Sequence, residues 1–114
     1  MNLDLKLTQL GLRNRHFILV DLSFPDGVFE EFRRSYPDRY LHLPCHSDIA
    51  MEFAAGLSSF GNHVYVWGVD EAVNVDLPDK NLNVKFLYPK EGASWDGFED
   101  KLLSFTFGKV YLPM

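Results

Sequence analysis

Residues His16-Phe-Ile-Leu-Val-Asp-Leu22 form a nearly continuous apolar run in which polar and apolar positions do not alternate. A strand with one face in water alternates, whereas a strand covered on both faces does not, so this run asks for a sheet with a layer on each side. Parallel sheets meet that demand, because the crossovers joining parallel strands place helices on the faces. The run is therefore expected inside a parallel sheet rather than at its rim.

The rest of the chain supplies the other pieces. Ser23-Phe-Pro-Asp26 offers capping oxygens and a proline suited to a first helical turn, and Val28, Phe29, Phe32 and Tyr36 follow at helical spacing with Pro37 just beyond. Tyr40 to Leu43 is a second strand, ended by Pro44. Ser47 to Phe60 predicts a second helix, with Ile49, Phe53, Leu57 and Phe60 on one face and Gly61 as the stop. Its other faces carry Ala50, Met51, Ala54, Ala55 and Gly56, with Glu52 the sole interior charge. A helix apolar nearly all round is expected to be buried, a second subunit being one possible cover, and its small residues permit close backbone approach. His63 to Trp67, Val84 to Tyr88 and Lys109 to Leu112 read as three more strands, rich in β-branched and aromatic residues. Ser94 can cap a last helix whose Trp95, Phe98, Leu102 and Phe105 share a face. Residues 68–83 are polar, broken by Pro78, and read as a loop, while Leu3, Leu5, Leu7, Leu10 and Leu12 fit both a strand and an interrupted helix. The expected architecture is α/β: a three-layer α/β/α sandwich around a doubly wound, mainly parallel sheet of about five strands, all 114 residues making one domain.

Composition narrows the function classes. With 46% apolar residues and ten Phe the chain has ample core, and disorder is excluded. A net charge of −5 and a pI near 5.2 argue against a nucleic-acid or anionic-membrane partner. Apolar stretches such as Phe17 to Val20 fall far short of the ~20 residues a membrane span needs, and the amino-terminal MNLDLKLTQ has no signal-peptide pattern. The lone Cys45 precludes an internal disulfide and fits a reducing compartment, so a cytoplasmic location is expected.

In open α/β sheets ligands bind outside the carboxyl ends of the strands, here residues 21–23, 44–48, 68–70 and 89–92. The second region is the richest, since His42-Leu-Pro-Cys45-His46-Ser47-Asp48 brings a thiol, two imidazoles and a carboxyl group to a strand end and a helix start. Three readings compete for it. Cys45 and His46, with His42 or Asp48, are acceptable zinc ligands, although neighbouring residues rarely converge on one ion and no second ligand pair accompanies them. Cys45 as a nucleophile would profit from the helix dipole and a histidine base. The plain alternative places Cys45 in the core, His46 partly in water and Ser47 or Asp48 as the helix cap. Asp21, ending the first strand, can hold a ligand or accept hydrogen bonds from the loop that follows it. No dinucleotide, P-loop or zinc-protease motif is present, and neither a catalytic residue nor a metal ligand set is assigned.

In their order these pieces resemble the pyrimidine-binding domain of transketolase-like thiamine diphosphate enzymes. Phe17-Ile-Leu-Val-Asp-Leu-Ser23 resembles the first strand of that family, of the type VVLDADLS, and FRRSYPDRY at residues 32–40 resembles its F…FPDRF. LPCHSDIAMEFAAGLSSFG at residues 43–61 resembles VGIAEQNMVGIAAGLAAEG, and residues 81–92 with 98–113 resemble NLPVK, an ALED-like helix and a closing strand ending in proline. The resemblance covers most of residues 17–113, with the PDR and AAGL portions its distinctive parts.

What the resemblance implies for function turns on its departures. In the family a glutamate at the end of the second strand hydrogen-bonds the aminopyrimidine of the cofactor and promotes its ionisation; registering on AAGL puts Ser47 there, with Asp48 next. A hydroxyl cannot supply that proton-accepting carboxylate, and Asp48 would do so only if the strand end slipped by one residue. Trp67 is the one stand-in for the aromatic platform of the family, the histidine of the GEDGPTHQ stretch is missing from EGASWDG at residues 91–97, and no diphosphate-binding GDG…N motif occurs. The resemblance thus implies a stand-alone relative without its own catalysis, acting as an interaction or small-ligand module, with Ser47, Asp48 and Trp67 at the cofactor position and Asp21, Cys45 and His46 as pocket candidates. It implies no cofactor for the chain alone, and thiamine diphosphate with Mg²⁺ only if a partner chain supplies the diphosphate-binding half. Residues 48–60 are the expected surface for a homodimer or a partner protein.

Overall fold

The structure, a computed structural model, describes residues 3–23, 28–43, 47–70, 83–103 and 108–113, with the backbone alone at 47 and 48. The apolar run forms β1 (Phe17–Asp21), which is hydrogen-bonded on both sides, to β2 (Tyr40–His42) and to β3 (His63–Trp67). β4 (Val84–Pro89) and β5 (Gly108–Leu112) extend the sheet beyond β3, giving the order β2-β1-β3-β4-β5 with every pairing parallel. All five expected strands form at the expected places.

Alternate side chains of these strands point into two cores. Phe17, Leu19, Tyr65, Leu87, Val110 and Leu112 face one layer, made by α1 (Leu3–Arg13), α2 (Glu30–Ser35) and α4 (Phe98–Leu103). Val20, Val64, Val66, Val84, Phe86 and Tyr88 face the other, where α3 (Ser47–Ser58) lays Met51 and Ala54 on the sheet. The first core is aromatic: Phe17 lies 4.3 Å from Tyr65 and 5.3 Å from Phe32 between ring centroids, and the Tyr65 hydroxyl donates to the Leu102 carbonyl at 2.7 Å. The three-layer sandwich is thus built as the apolar runs require.

The amino-terminal ambiguity resolves as a helix. Leu3, Leu7 and Leu10 recur at spacings of four and three and turn inward, whereas Leu5 and Leu12 stay exposed. α1 and the α2 region cap each other. The Asp4 carboxyl group accepts from the backbone amides of Glu31 and Phe32, both at 2.9 Å, and Arg39 returns the favour by donating to the carbonyls of Gly11 and Asn14, both at 3.0 Å. Arg39 also lies over the Tyr36 ring, 4.0 Å from its centroid, and the Tyr36 hydroxyl donates to Thr8 O at 2.8 Å. The Tyr36 ring packs so close to Gly11 that a Cβ there would meet it at 2.7 Å.

Several expectations shift. The expected capping role of Ser23 to Asp26 falls partly outside the described residues, and Phe29 at the α2 N-cap makes no side-chain cap, because Asp4 already fills that role from another helix. The Ser94 hydroxyl accepts from the Asp96 amide at 3.0 Å, tightening the turn ahead of α4 rather than capping the helix itself. Phe105 and most of the expected loop, residues 71–82, lie outside the described residues. α3 is buried on one side only, through Ala50, Met51 and Ala54, and its small residues serve close packing on the sheet. Among the described residues no helix is long and apolar enough to cross a membrane.

At the amino ends of β3 and β4 the sheet buries a polar chain. Lys85 Nζ donates to Asn83 Oδ1 at 2.9 Å, Asn83 Nδ2 donates to His63 Nδ1 at 2.6 Å, and the Asn83 amide donates to Ser58 Oγ at 2.7 Å. Burial lowers the Lys85 ammonium from 10.5 to about 8, and burial, then the Lys85 and His16 charges, lower His63. Burial raises the Tyr65 hydroxyl above its ordinary 10.0.

Two predictions follow from these contacts. Asp4→Ala should cost about 1 to 2 kcal/mol in urea unfolding, the loss of a carboxylate cap, with Asp4→Asn retaining part of it. Between about pH 8 and 10 the unfolded chain binds the Lys85 proton that the folded chain has released, so stability should rise with pH. Above the ordinary tyrosine value of 10.0 the folded chain keeps the Tyr65 proton and stability should fall. Unfolding midpoints across this range should show the rise vanish in Lys85→Met and the fall vanish in Tyr65→Phe.

Candidate functional site

The carboxyl edge of the sheet is where a ligand would meet this fold. β2 and β3 flank β1, and the connections that follow β1 and β2 leave to opposite faces through α2 and α3, the arrangement that opens a crevice above β1. The sheet register sets Asp21, His42 and Trp67 in one row across β2, β1 and β3 at this edge. Three residues singled out from the sequence are therefore brought side by side.

Their side chains are engaged differently. Asp21 is wholly buried, and its carboxyl oxygens accept from the Ser23 amide at 2.9 Å, the Ser23 hydroxyl at 2.6 Å and the Tyr40 hydroxyl at 2.6 Å. Its main-chain carbonyl accepts from the Leu43 amide at 2.9 Å. Asp21 thereby ties the ends of β1 and β2 to the start of the next loop, and its oxygens point into protein. His42 Nε2 donates to the Ser23 carbonyl at 2.8 Å, fastening the same loop from the β2 side. Trp67 is half-buried and meets the edge of Phe29 at 5.5 Å between centroids with the planes at 87°. The loops after β1 and β3 touch: the Leu22 amide donates to Trp67 O at 2.8 Å, and a Cβ at Gly68, whose φ is +101°, would stand 2.9 Å from Ser23 N. Only glycine suits that conformation and that contact.

Ser47 and Asp48 open α3, and their side chains, with Cys45 and His46, lie outside the described residues. Among the described residues no group of three or more His, Cys, Asp or Glu side chains is placed to hold a metal ion. A depression of about 360 Å³ between α1 and α4 is lined by Lys6, Gln9, Arg13, Trp95, Glu99 and Asp100 among others. Arg13 bridges Glu99 at 2.7 Å there, and Lys6 Nζ lies 5.2 Å from the Trp95 centroid. It is a stitched helix seam.

The expected bond from a neighbouring loop amide to Asp21 is made by Ser23, whereas sequence reasoning missed the Tyr40 and Ser23 hydroxyls. The spacing of Asp21 and Ser23 carried a signal for the second, since an aspartate commonly accepts from the backbone amide two residues on. Tyr40 is on another strand, and nothing local points to it.

No family model matches the sequence, and no curated protein matches it. Among solved structures the chain matches a split-gene transketolase, described as an inactive β4 tetramer, with a TM-score of 0.72 over 96% of this chain and 16% sequence identity. The chain has a transketolase-like fold. It spans about half of the solved transketolase chain, 48% of its length. The sequence resemblance and the structural likeness thus agree on the architecture of this transketolase-like chain.

Substitution should separate anchoring from ligand contact at Asp21. Asp21→Ala strands the Tyr40 and Ser23 donors and should cost about 2 to 4 kcal/mol of folding stability, and Tyr40→Phe about 1 to 2 kcal/mol, by chemical denaturation.

Proposed function

We infer that this chain is a transketolase pyrimidine-domain-like module that does not catalyse on its own and works by assembly, with itself or with a partner protein. The observation that carries this reading is the state of the carboxyl edge. The resemblance puts a serine, Ser47, where a proton-accepting acid is needed, and the nearby carboxyl group whose contacts are described, Asp21, is buried and held by three donors. Taking a proton from a ligand would require dismantling the junction of β1 and β2. These residues do not fit the aminopyrimidine of thiamine diphosphate, and no catalytic step is assigned through it.

Assembly is supported by the outer side of α3. Ile49 and Phe53 on α3 and Phe60 just beyond it are 57%, 42% and 85% exposed, an apolar stripe in the region where the resemblance leads to a partner surface being expected. The structural neighbour is a β chain described as a tetramer and as inactive, which shows self-assembly without activity in a chain of this fold. The acidic charge directs the partner away from nucleic acid, and a cytoplasmic setting belongs to the same reading, resting on the lone Cys45. A second reading is favoured by the split-gene origin of that neighbour and by the half-length match: the chain is the pyrimidine-binding half of a two-chain thiamine diphosphate enzyme.

Sedimentation equilibrium of the purified chain up to high micromolar concentration should show a dimer, and a strictly monomeric chain would remove self-assembly. Titration calorimetry with thiamine diphosphate and Mg²⁺ should give no binding heat for the chain alone. Binding heat or ketol transfer by the isolated chain would overturn the non-catalytic reading, whereas heat seen only after mixing with a diphosphate-binding chain would establish the second reading.

A further inference from the structure

The seam between α1 and α4 is tied by an ion pair at one place only. Lys6, Gln9 and Arg13 recur at spacings of three and four along α1, so they share the face that lines the depression of about 360 Å³ there. Trp95, Glu99 and Asp100 line it from the other side, from the turn ahead of α4 and from α4 itself. The charges are segregated by wall: both cations of the lining belong to α1, and both carboxyl groups belong to α4. Arg13 bridges Glu99 with contacts of 2.7 and 2.9 Å, which ties the two walls face to face.

Lys6 and Asp100 are not joined in this way. Among the described residues neither takes part in an ion pair, and the Lys6 ammonium rests over the Trp95 ring, 5.2 Å from its centroid. Phe98 steadies that ring by an edge contact, with centroids 5.0 Å apart and planes at 87°. The depression thus offers a positive wall, a negative wall and an aromatic surface between them. A volume of about 360 Å³ is at the small end for ligand sites, which suits a molecule with few heavy atoms. An anion alone is attracted by one wall and repelled by the other, and so is a cation. A small molecule that carries both charges satisfies both walls.

We propose that this depression binds a zwitterionic α-amino acid with an aromatic or other bulky apolar side chain. The ligand carboxylate bonds to Lys6 and to the Gln9 amide group, its ammonium bonds to Asp100, and its side chain lies on Trp95. Lys6 is only half-buried, so its hold on the ring is weak, and a carboxylate draws it off and uncovers the ring for the side chain. Exposed charge contacts each contribute little, so the expected dissociation constant is about 0.1–1 mM. The site lies on the sheet face opposite α3, and its failure would leave the assembly reading untouched.

L-Phenylalanine is the probe, with phenylpropionate, which lacks the ammonium, and phenylethylamine, which lacks the carboxylate, as its two halves. In a Trp67→Phe chain Trp95 is the one indole, and its fluorescence should change saturably with L-phenylalanine. Each half should bind at least about threefold more weakly. Lys6→Met should weaken L-phenylalanine and phenylpropionate by roughly three- to fivefold and leave phenylethylamine unaffected. Asp100→Asn should weaken L-phenylalanine and phenylethylamine to the same degree and leave phenylpropionate unaffected. Neither substitution empties the core, so thermal melting should hold, and titration calorimetry of the chain that keeps Trp67 should return the same constant for L-phenylalanine. No saturation by either method up to about 10 mM would overturn the site. Either half binding as tightly as the amino acid would overturn the zwitterion, and binding that neither Lys6→Met nor Asp100→Asn weakens would overturn the assignment to this depression.

Discussion

An all-parallel sheet cannot leave either face to water, because its strands carry apolar side chains on both. Here that constraint is met unequally. Three helices and a cluster of aromatic rings cover one face, whereas among the described elements α3 covers the other. α3 answers with small residues inward, where Ala50 and Ala54 bring its backbone close to the sheet, and this commits its large apolar side chains to the outside. The outward stripe is the other side of close packing on the sheet, leaving Ile49 and Phe53 exposed.

At the carboxyl edge the polar side chains that are described are engaged with the protein itself. The row of His42, Asp21 and Trp67 lies across β2, β1 and β3 at this edge. Yet the contacts of Asp21 and His42 serve to hold the β1 loop down, and Trp67 is braced by Phe29. The Asp21 oxygens are satisfied by donors of the protein itself, which is what a buried carboxyl group requires.

Much of this was legible in the sequence, for identifiable reasons. The five strands announced themselves because runs such as FILVD and HVYVW are buried on both sides, and the helix beginning near Ser47 followed from its length and its glycine stop. The amino terminus was not legible, since five leucines at odd and even spacings satisfy two periodicities at once; docking of Leu7 and Leu10 beside Phe32 and Tyr36 decides between them. Which face of α3 is inward was equally hidden, because alanine and methionine compete with isoleucine and phenylalanine for a core and close approach to the sheet settles the matter. At the site, Asp21 was found from its strand-end position and Trp67 through the family resemblance, whereas the bond from Tyr40 joins residues 19 apart and the Asp4 cap joins residues 27 and 28 apart. Contacts that distant leave no local trace.

The reciprocal capping of α1 and α2 has a consequence for how the chain reaches its native state. α2 has six residues, too few to persist alone in water, and the carboxyl group that completes its first turn belongs to α1. Arg39, which finishes α1, arrives only after α2 has been made. Each helix end is therefore completed by a residue outside that helix, and the two helices, with β1 between them in the chain, stabilise one another.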